Sequence, residues 1–150
     1  MPLQPGDEAP DFCLNNQNEE EKRLADYSGK KLVLYFYPKD DTPGCTTQSC
    51  NLRDNYEQLL KEGYQVLGVS VDDEASHRKF IEKFNLPFEL LADTEHKMVN
   101  DYGVWGEKNM YGRKYMGINR TTFVLDENGR IEEVIGKVKT DDHTNQILKA

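Results

Sequence analysis

The apolar positions of this chain fall into blocks whose period alternates between that of a strand and that of a helix. Residues 32–37 are an unbroken apolar run, short enough for a buried strand. Turn residues follow, and then a helical pattern from about 43 to 62, in which Leu52, Tyr56, Leu59 and Leu60 recur at helical spacing before Gly63 supplies a stop. Residues 65–72 read as a second buried strand. Residues 74–84 read as a helix with Phe80, Ile81 and Phe84 on one face, closed by Asn85-Leu86-Pro87. A third strand is expected at 88–93. Thr94 then caps a short helix carrying Met98, Val99 and Tyr102, which Gly103 ends.

The flanks are less regular. Phe12 and Leu14 alternate in a short strand with Cys13 on the opposite face, and 15–23 reads as a charged loop or hairpin tip. Residues 104–120 scatter Trp105, Tyr111 and Tyr115 among glycines and lysines without a period, which predicts a long functional loop. Strands at 121–125 and 131–138 flank Asp126-Glu127-Asn128-Gly129, a hairpin with an Asn-Gly turn, and 142–149 closes as a short helix. Strand, helix, strand, helix, strand, then an antiparallel hairpin, predicts an α/β chain of thioredoxin-like outline. The expected architecture is a central mixed sheet with helices on both faces, formed as a single domain over 1–150.

Charge narrows the partners. With 27 acidic residues against 19 basic, the net charge of −8 opposes nucleic acid and anionic membranes, which are bound through basic patches. The start of the chain has no basic region followed by an apolar core, and no later run approaches about 18 apolar residues, so a cytoplasmic protein is expected. In a reducing compartment a close pair among three cysteines is catalytic or metal-binding before it is structural.

That pair is Cys45 and Cys50. Thr42 is a good N-cap and Pro43 suits the first helical position, so Cys45 falls in the first turn, where backbone N–H groups lack intrahelical partners. Those donors and the positive end of the helix dipole favour a thiolate, the nucleophilic form of cysteine. Gly44 would leave room for a small substrate beside the sulfur. Residues five apart in a helix have Cα atoms roughly 8.6 Å apart, whereas a disulfide wants about 4.4 to 6.8 Å. If the two cysteines ever bond, the first turns of this helix must unwind.

Five blocks carry a family resemblance: Gly6-Asp7-Glu8-Ala9-Pro10-Asp11-Phe12; Tyr35 through Thr46, with Pro38, Thr42 and Cys45; Phe88-Glu89-Leu90-Leu91-Ala92-Asp93; Tyr102-Gly103-Val104-Trp105-Gly106-Glu107-Lys108; and Gly117-Ile118-Asn119-Arg120-Thr121-Thr122-Phe123. In these the chain resembles a peroxiredoxin of the bacterioferritin comigratory protein (PrxQ) subfamily, which Cys50, five residues after Cys45, marks. The resemblance implies a thiol peroxidase without cofactor or metal. Cys45 would attack a peroxide oxygen and become a sulfenic acid, and Cys50 would condense with it to an intramolecular disulfide passed on to thioredoxin.

Such chemistry needs donors aimed at both peroxide oxygens. Arg120 is the natural cation, and it is required if Asp40 and Asp41 do not point to solvent, since two carboxylates beside the sulfur would oppose the thiolate. Thr42 has two compatible tasks, as a helix cap and as a hydroxyl toward the bound peroxide. Pro38 packs over the sulfur or merely ends the strand. Thr46, Thr47 and Ser49 are middling helix formers and lower the cost of opening. His77 reads as a boundary residue and Cys13 as a bystander. A dithiol-disulfide oxidoreductase is disfavoured by four residues between the cysteines where two are usual. A non-enzymatic redox sensor stays open, and His77, His96 and His143 give no zinc spacing. A monomer is expected.

Overall fold

In the computed structural model, residues 3–148 are described; Met1, Pro2 and Ala150 lie outside them, as does Lys149, with which the last expected helix would end. A short hairpin, β1 (Cys13–Asn15) and β2 (Glu21–Arg23), leads to β3 (Lys31–Phe36), the apolar run of the sequence. There follow α1 (Pro43–Asp54), α2 (Tyr56–Lys61), β4 (Tyr64–Ser70), α3 (Glu74–Phe84), β5 (Glu89–Ala92) and α4 (Lys97–Asp101). The chain closes with β6 (Trp105–Met110), β7 (Arg113–Ile118), β8 (Thr121–Leu125), β9 (Ile131–Ile135) and α5 (His143–Leu148).

Seven strands form one mixed sheet in the order β2-β1-β5-β4-β3-β8-β9. Strand β3 lies inside it, parallel to β4 and antiparallel to β8, and its alternate side chains enter two different cores. Leu32, Leu34 and Phe36 join Met98, Val99 and Tyr102 of the α4 segment on one face. Val33, Tyr35 and Tyr37 pack on the other with Leu52 of α1, Leu59 of α2, Phe80 of α3 and Ile147 of α5. This is the thioredoxin-like outline expected from the pattern. Gly68 sits opposite Tyr35 in the β3/β4 register, where an added Cβ would stand 2.8 Å from the tyrosine ring and 2.6 Å from Leu90. The missing side chain makes room for a buried Tyr35.

Three expectations need correction. The helix read over 43–62 is two helices, because the Asn55 side chain donates to the Asn51 carbonyl (2.8 Å) and the backbone there leaves helical geometry. The restart turns Leu60 outward. Thr94 does not cap α4: the Asp93 carboxylate accepts from the Val99 amide (2.8 Å), and His96, at φ 63°, precedes the helix. Residues 105–118 are not an irregular loop but a two-stranded hairpin, β6 with β7, turned at Tyr111 and Gly112, both at positive φ as a type I′ turn requires. Periodicity missed it because β7 is exposed from Arg113 to Met116, so no apolar face alternates along it.

Among the described residues no helix is long and apolar enough to cross a membrane.

Candidate active site

The sheet register gathers the residues singled out from the sequence. Phe36 at the end of β3 pairs with Thr121 at the start of β8, so the chain leaving one strand and the chain entering the other lie at the same edge. Residues 37–45 leave there and Arg120 arrives there.

Thr42 has extended backbone angles (φ −103°, ψ 154°), Pro43 follows at the first helical position, and the Thr46 amide bonds the Thr42 carbonyl at 2.8 Å. The helix therefore starts where the sequence indicates. The Thr42 side chain, however, does not cap it: its hydroxyl donates to the Lys39 carbonyl at 2.8 Å, closing the turn before the helix. With its hydrogen committed there, the oxygen keeps lone pairs free to accept.

Cys45 is in the first turn and only 1% exposed. Arg120 Nη2 approaches its Sγ to 3.3 Å, and Nη1 donates to Gln48 Oε1 at 2.6 Å. Gln48 was not singled out in the sequence, although it lies three residues after Cys45 on the same helical face. It is fully buried, and its Nε2 has no hydrogen-bond partner among the described residues. Gly44 serves the guanidinium: an added Cβ would stand 3.2 Å from Arg120 Nη2, so the room expected for a substrate is room for the arginine. A second missed residue is the cation Lys108 of β6, half-buried, donating to the Ile118 carbonyl at 2.8 Å. Burial, and then the charge of Arg120, lower its pKa, while the Cys45 sulfur acts the other way.

Cys45, Cys50 and Cys13 are all free thiols. Cys50 is half-exposed, in a shallow depression lined by Thr46, Thr47, Asn51, Asp54 and Asp141, whereas Cys45 faces the core. The intact helix keeps the two sulfurs on different faces. Pro38 is half-buried at the end of β3, and Lys39 is exposed. Cys13 is exposed on its strand.

Two charged residues depart from expectation. Asp41 is exposed and paired with Lys83 at 2.8 Å, but Asp40 points inward, where its carboxylate accepts from the Tyr37 hydroxyl (2.6 Å) and the Ser76 hydroxyl (2.7 Å) and meets His77 Nδ1 at 2.7 Å. His77 is accordingly no boundary residue. It is fully buried, and its sequence position, one turn before an apolar face, carried no sign of the carboxylate that meets it from another element.

A buried thiol at a helix N-terminus, touched by a guanidinium and followed by a half-exposed second thiol, can attack a small electrophile and hand the product on. Comparison with known proteins agrees in class. Residues 5–134 match the model of the AhpC/TSA family. The chain is 46% identical over 149 residues to Peroxiredoxin Bcp of Bacillus subtilis, covering 99% of this chain and 95% of that one. A mutant of Xylella fastidiosa PrxQ superposes with a TM-score of 0.92 at 33% identity, covering 99% and 95% of the two chains. The Xanthomonas campestris bacterioferritin comigratory protein, described for its alkyl peroxide reduction activity, gives 0.86 at 36% identity over 92% and 88%.

Proposed function

The chain belongs to the AhpC/TSA family, and within it to the Bcp peroxiredoxins, which are thiol peroxidases; from that premise we propose that Cys45 is the peroxidatic nucleophile, Cys50 its resolving partner and thioredoxin the reductant. The observation that carries the reading is the 3.3 Å approach of Arg120 Nη2 to Cys45 Sγ in the opening turn of α1.

The Cys45 thiolate attacks one peroxide oxygen in line with the O–O bond. An S–O bond forms, the O–O bond breaks, and the departing oxygen takes a proton to leave as water or alcohol. Arg120 and the first-turn amides stabilise charge on the sulfur and on the oxygens. The Thr42 oxygen accepts a hydrogen bond from the peroxide, and Pro38 keeps bulk water from the sulfur. Turns 43–51 then open, the Cys50 thiol displaces hydroxide from the sulfenic sulfur as water, and the disulfide is reduced by dithiol exchange. Organic hydroperoxides are substrates beside hydrogen peroxide, in line with the activity named for the Xanthomonas protein. The protein acts as a monomer.

The test is peroxide turnover with thioredoxin and its reductase. Wild type turns over; Cys45→Ser consumes nothing; Cys50→Ser consumes one equivalent and stops. Mass spectrometry of peroxide-treated protein that never joins residues 45 and 50 would end the resolving assignment.

A further inference from the structure

The buried polar cluster behind the turn before α1 has no part in the chemistry above. Among the described residues His77 Nε2 faces only the Leu91 carbonyl, at 2.9 Å, and so must carry a hydrogen. Its Nδ1 lies 2.7 Å from Asp40 Oδ2. Two lone pairs cannot face each other at that distance, so one proton lies between ring and carboxylate, and the pair is neutral whichever atom holds it. Asp40 Oδ1 and Oδ2 also accept from Tyr37 and Ser76, and the Asp40 amide donates to Asp72 Oδ2 at 2.8 Å. Residue 40 is thereby gripped from the end of β3, the chain after β4, α3 and, through His77, β5.

Core filling does not explain this cluster, because well-packed apolar side chains commonly stabilise as much as a buried ion pair or more. Nor does α3 need it to begin: Asp73 already caps that helix, accepting from the Ser76 amide at 2.8 Å. What lies next to the cluster is strained. Asp41, a non-glycine residue, is held at φ 56°, a conformation that persists only where its surroundings impose it. Its ion pair with Lys83 is exposed and contributes little. Asp40 is the anchor that fixes this turn, and the turn sets where Thr42, the helix start and Cys45 stand.

We propose that the Asp40–His77 pair is a clamp that fixes the turn of residues 39–42 against α3, making His77 a positioning residue for the reaction at Cys45. The inference rests on Cys45 being the reactive thiol. A displacement of about 1 Å can cost about 100-fold in rate when reacting groups must be aligned, and the 3.3 Å contact of Arg120 with Sγ has little slack.

The two ring nitrogens allow the clamp to be tested apart from folding. His77→Asn puts an amide N–H where Nδ1 was, keeping the bond to Asp40 and losing the one to Leu91. His77→Gln does the reverse. Both variants lose thermal stability to a similar degree. Cys45 of the Gln variant reacts about tenfold or more slowly with peroxide and with iodoacetamide, followed at that residue by mass spectrometry, whereas the Asn variant recovers most of the rate. Equal losses, or none in either, overturn the proposal. Should the Gln variant not fold, Asp40→Ala opens space rather than a clash, and wild-type reactivity there overturns it equally. Wild type that alkylates rapidly but consumes no peroxide refutes the peroxidase reading alone, since the alkylation difference between the variants still reports on the clamp.

Discussion

The turn of residues 37–42 and the helical turns that follow it are held in opposite ways. The turn is tied by carboxylates to several elements at once: Asp40 to Tyr37, Ser76 and His77, its amide to Asp72, and Asp41 to Lys83. Between Cys45 and Cys50 the links run through single side chains. Cys45 and Gln48 both lean on Arg120, Ser49 meets the Tyr35 hydroxyl at 3.0 Å, and the Thr47 hydroxyl bonds back to the Pro43 carbonyl. Gln48 Nε2, buried without a partner among the described residues, costs the closed helix about 1–3 kcal/mol that opening returns. On the proposed mechanism, the contrast separates what must stay for peroxide attack at Cys45 from what must move for resolution by Cys50. Arg120 joins the two, because the sulfur it touches is the proposed nucleophile.

Removing that joint has the largest expected effect. Arg120→Met retains the stem and loses both donors, so the rate constant for peroxide should fall about 10²- to 10³-fold, the range for one lost donor to a developing charge. Stopped-flow oxidation of the reduced protein reads it, and a drop under threefold would leave the arginine a structural partner of Gln48. Next comes the contrast itself, by amide hydrogen exchange on reduced and oxidised protein. Protection should vanish across 43–51 on oxidation and persist at residue 40, whose amide is bound to Asp72. Equal protection of 43–51 in both states would mean that the disulfide forms without opening.

How much of this was legible in the sequence follows from which forces act locally. The two faces of β3, the start of α1 at Pro43 and the end of α3 at Asn85 follow from periodicity and from cap and breaker residues, all short-range effects, and they placed Cys45 correctly. Arg120 came from the resemblance of its surrounding block; the register Phe36 to Thr121 supplies the physical reason it reaches the sulfur. The inward turn of Asp40 and the burial of His77 depend on pairings between distant segments, and no local pattern encodes them; the contact of Lys108 with Ile118 was missed together with the β6–β7 hairpin that makes it. The hydroxyl of Thr42 is a nearer miss. A side-chain cap and a bond back to Lys39 use the same residue type at the same place, and only the folded turn distinguishes them.

A smaller perturbation loosens the moving part alone. Tyr35→Phe keeps the ring stacked on Tyr37 at 5.4 Å and edge-on to Phe88, but withdraws the hydroxyl from Ser49. One buried hydrogen bond contributes about 1 kcal/mol. The closed helix should lose about that much by chemical denaturation of the reduced protein, and disulfide formation after sulfenic acid formation should quicken by up to about fivefold. Peroxide attack should stay within twofold, because the turn and Arg120 are untouched. Slower disulfide formation would show that Ser49 guides the opening instead of restraining it.

The smallest effect concerns the far end of α1, where Asn51 is tied to α5 through the Thr144 amide at 2.8 Å. Beside that tie, buried His143 has Nε2 2.8 Å from the Thr122 hydroxyl and Nδ1 2.8 Å from Gln146 Oε1, which suits a neutral ring donating from Nδ1. Burial, and more weakly the charge of Arg120, lower its pKa against the opposing bond to Gln146. A depressed histidine binds its second proton more readily in the unfolded chain. Its contribution to stability is therefore complete above the unfolded value of about 6.5 and is lost as pH falls through the lower folded value. His143→Asn keeps a donor toward Gln146 and cannot titrate, so between neutral pH and pH 5 its thermal midpoint should fall less steeply than that of wild type, the carboxylates being common to both. An equal or steeper fall in the variant would mean that the folded protein accepts the proton at no cost, and that the far tie of α1 holds through mild acid.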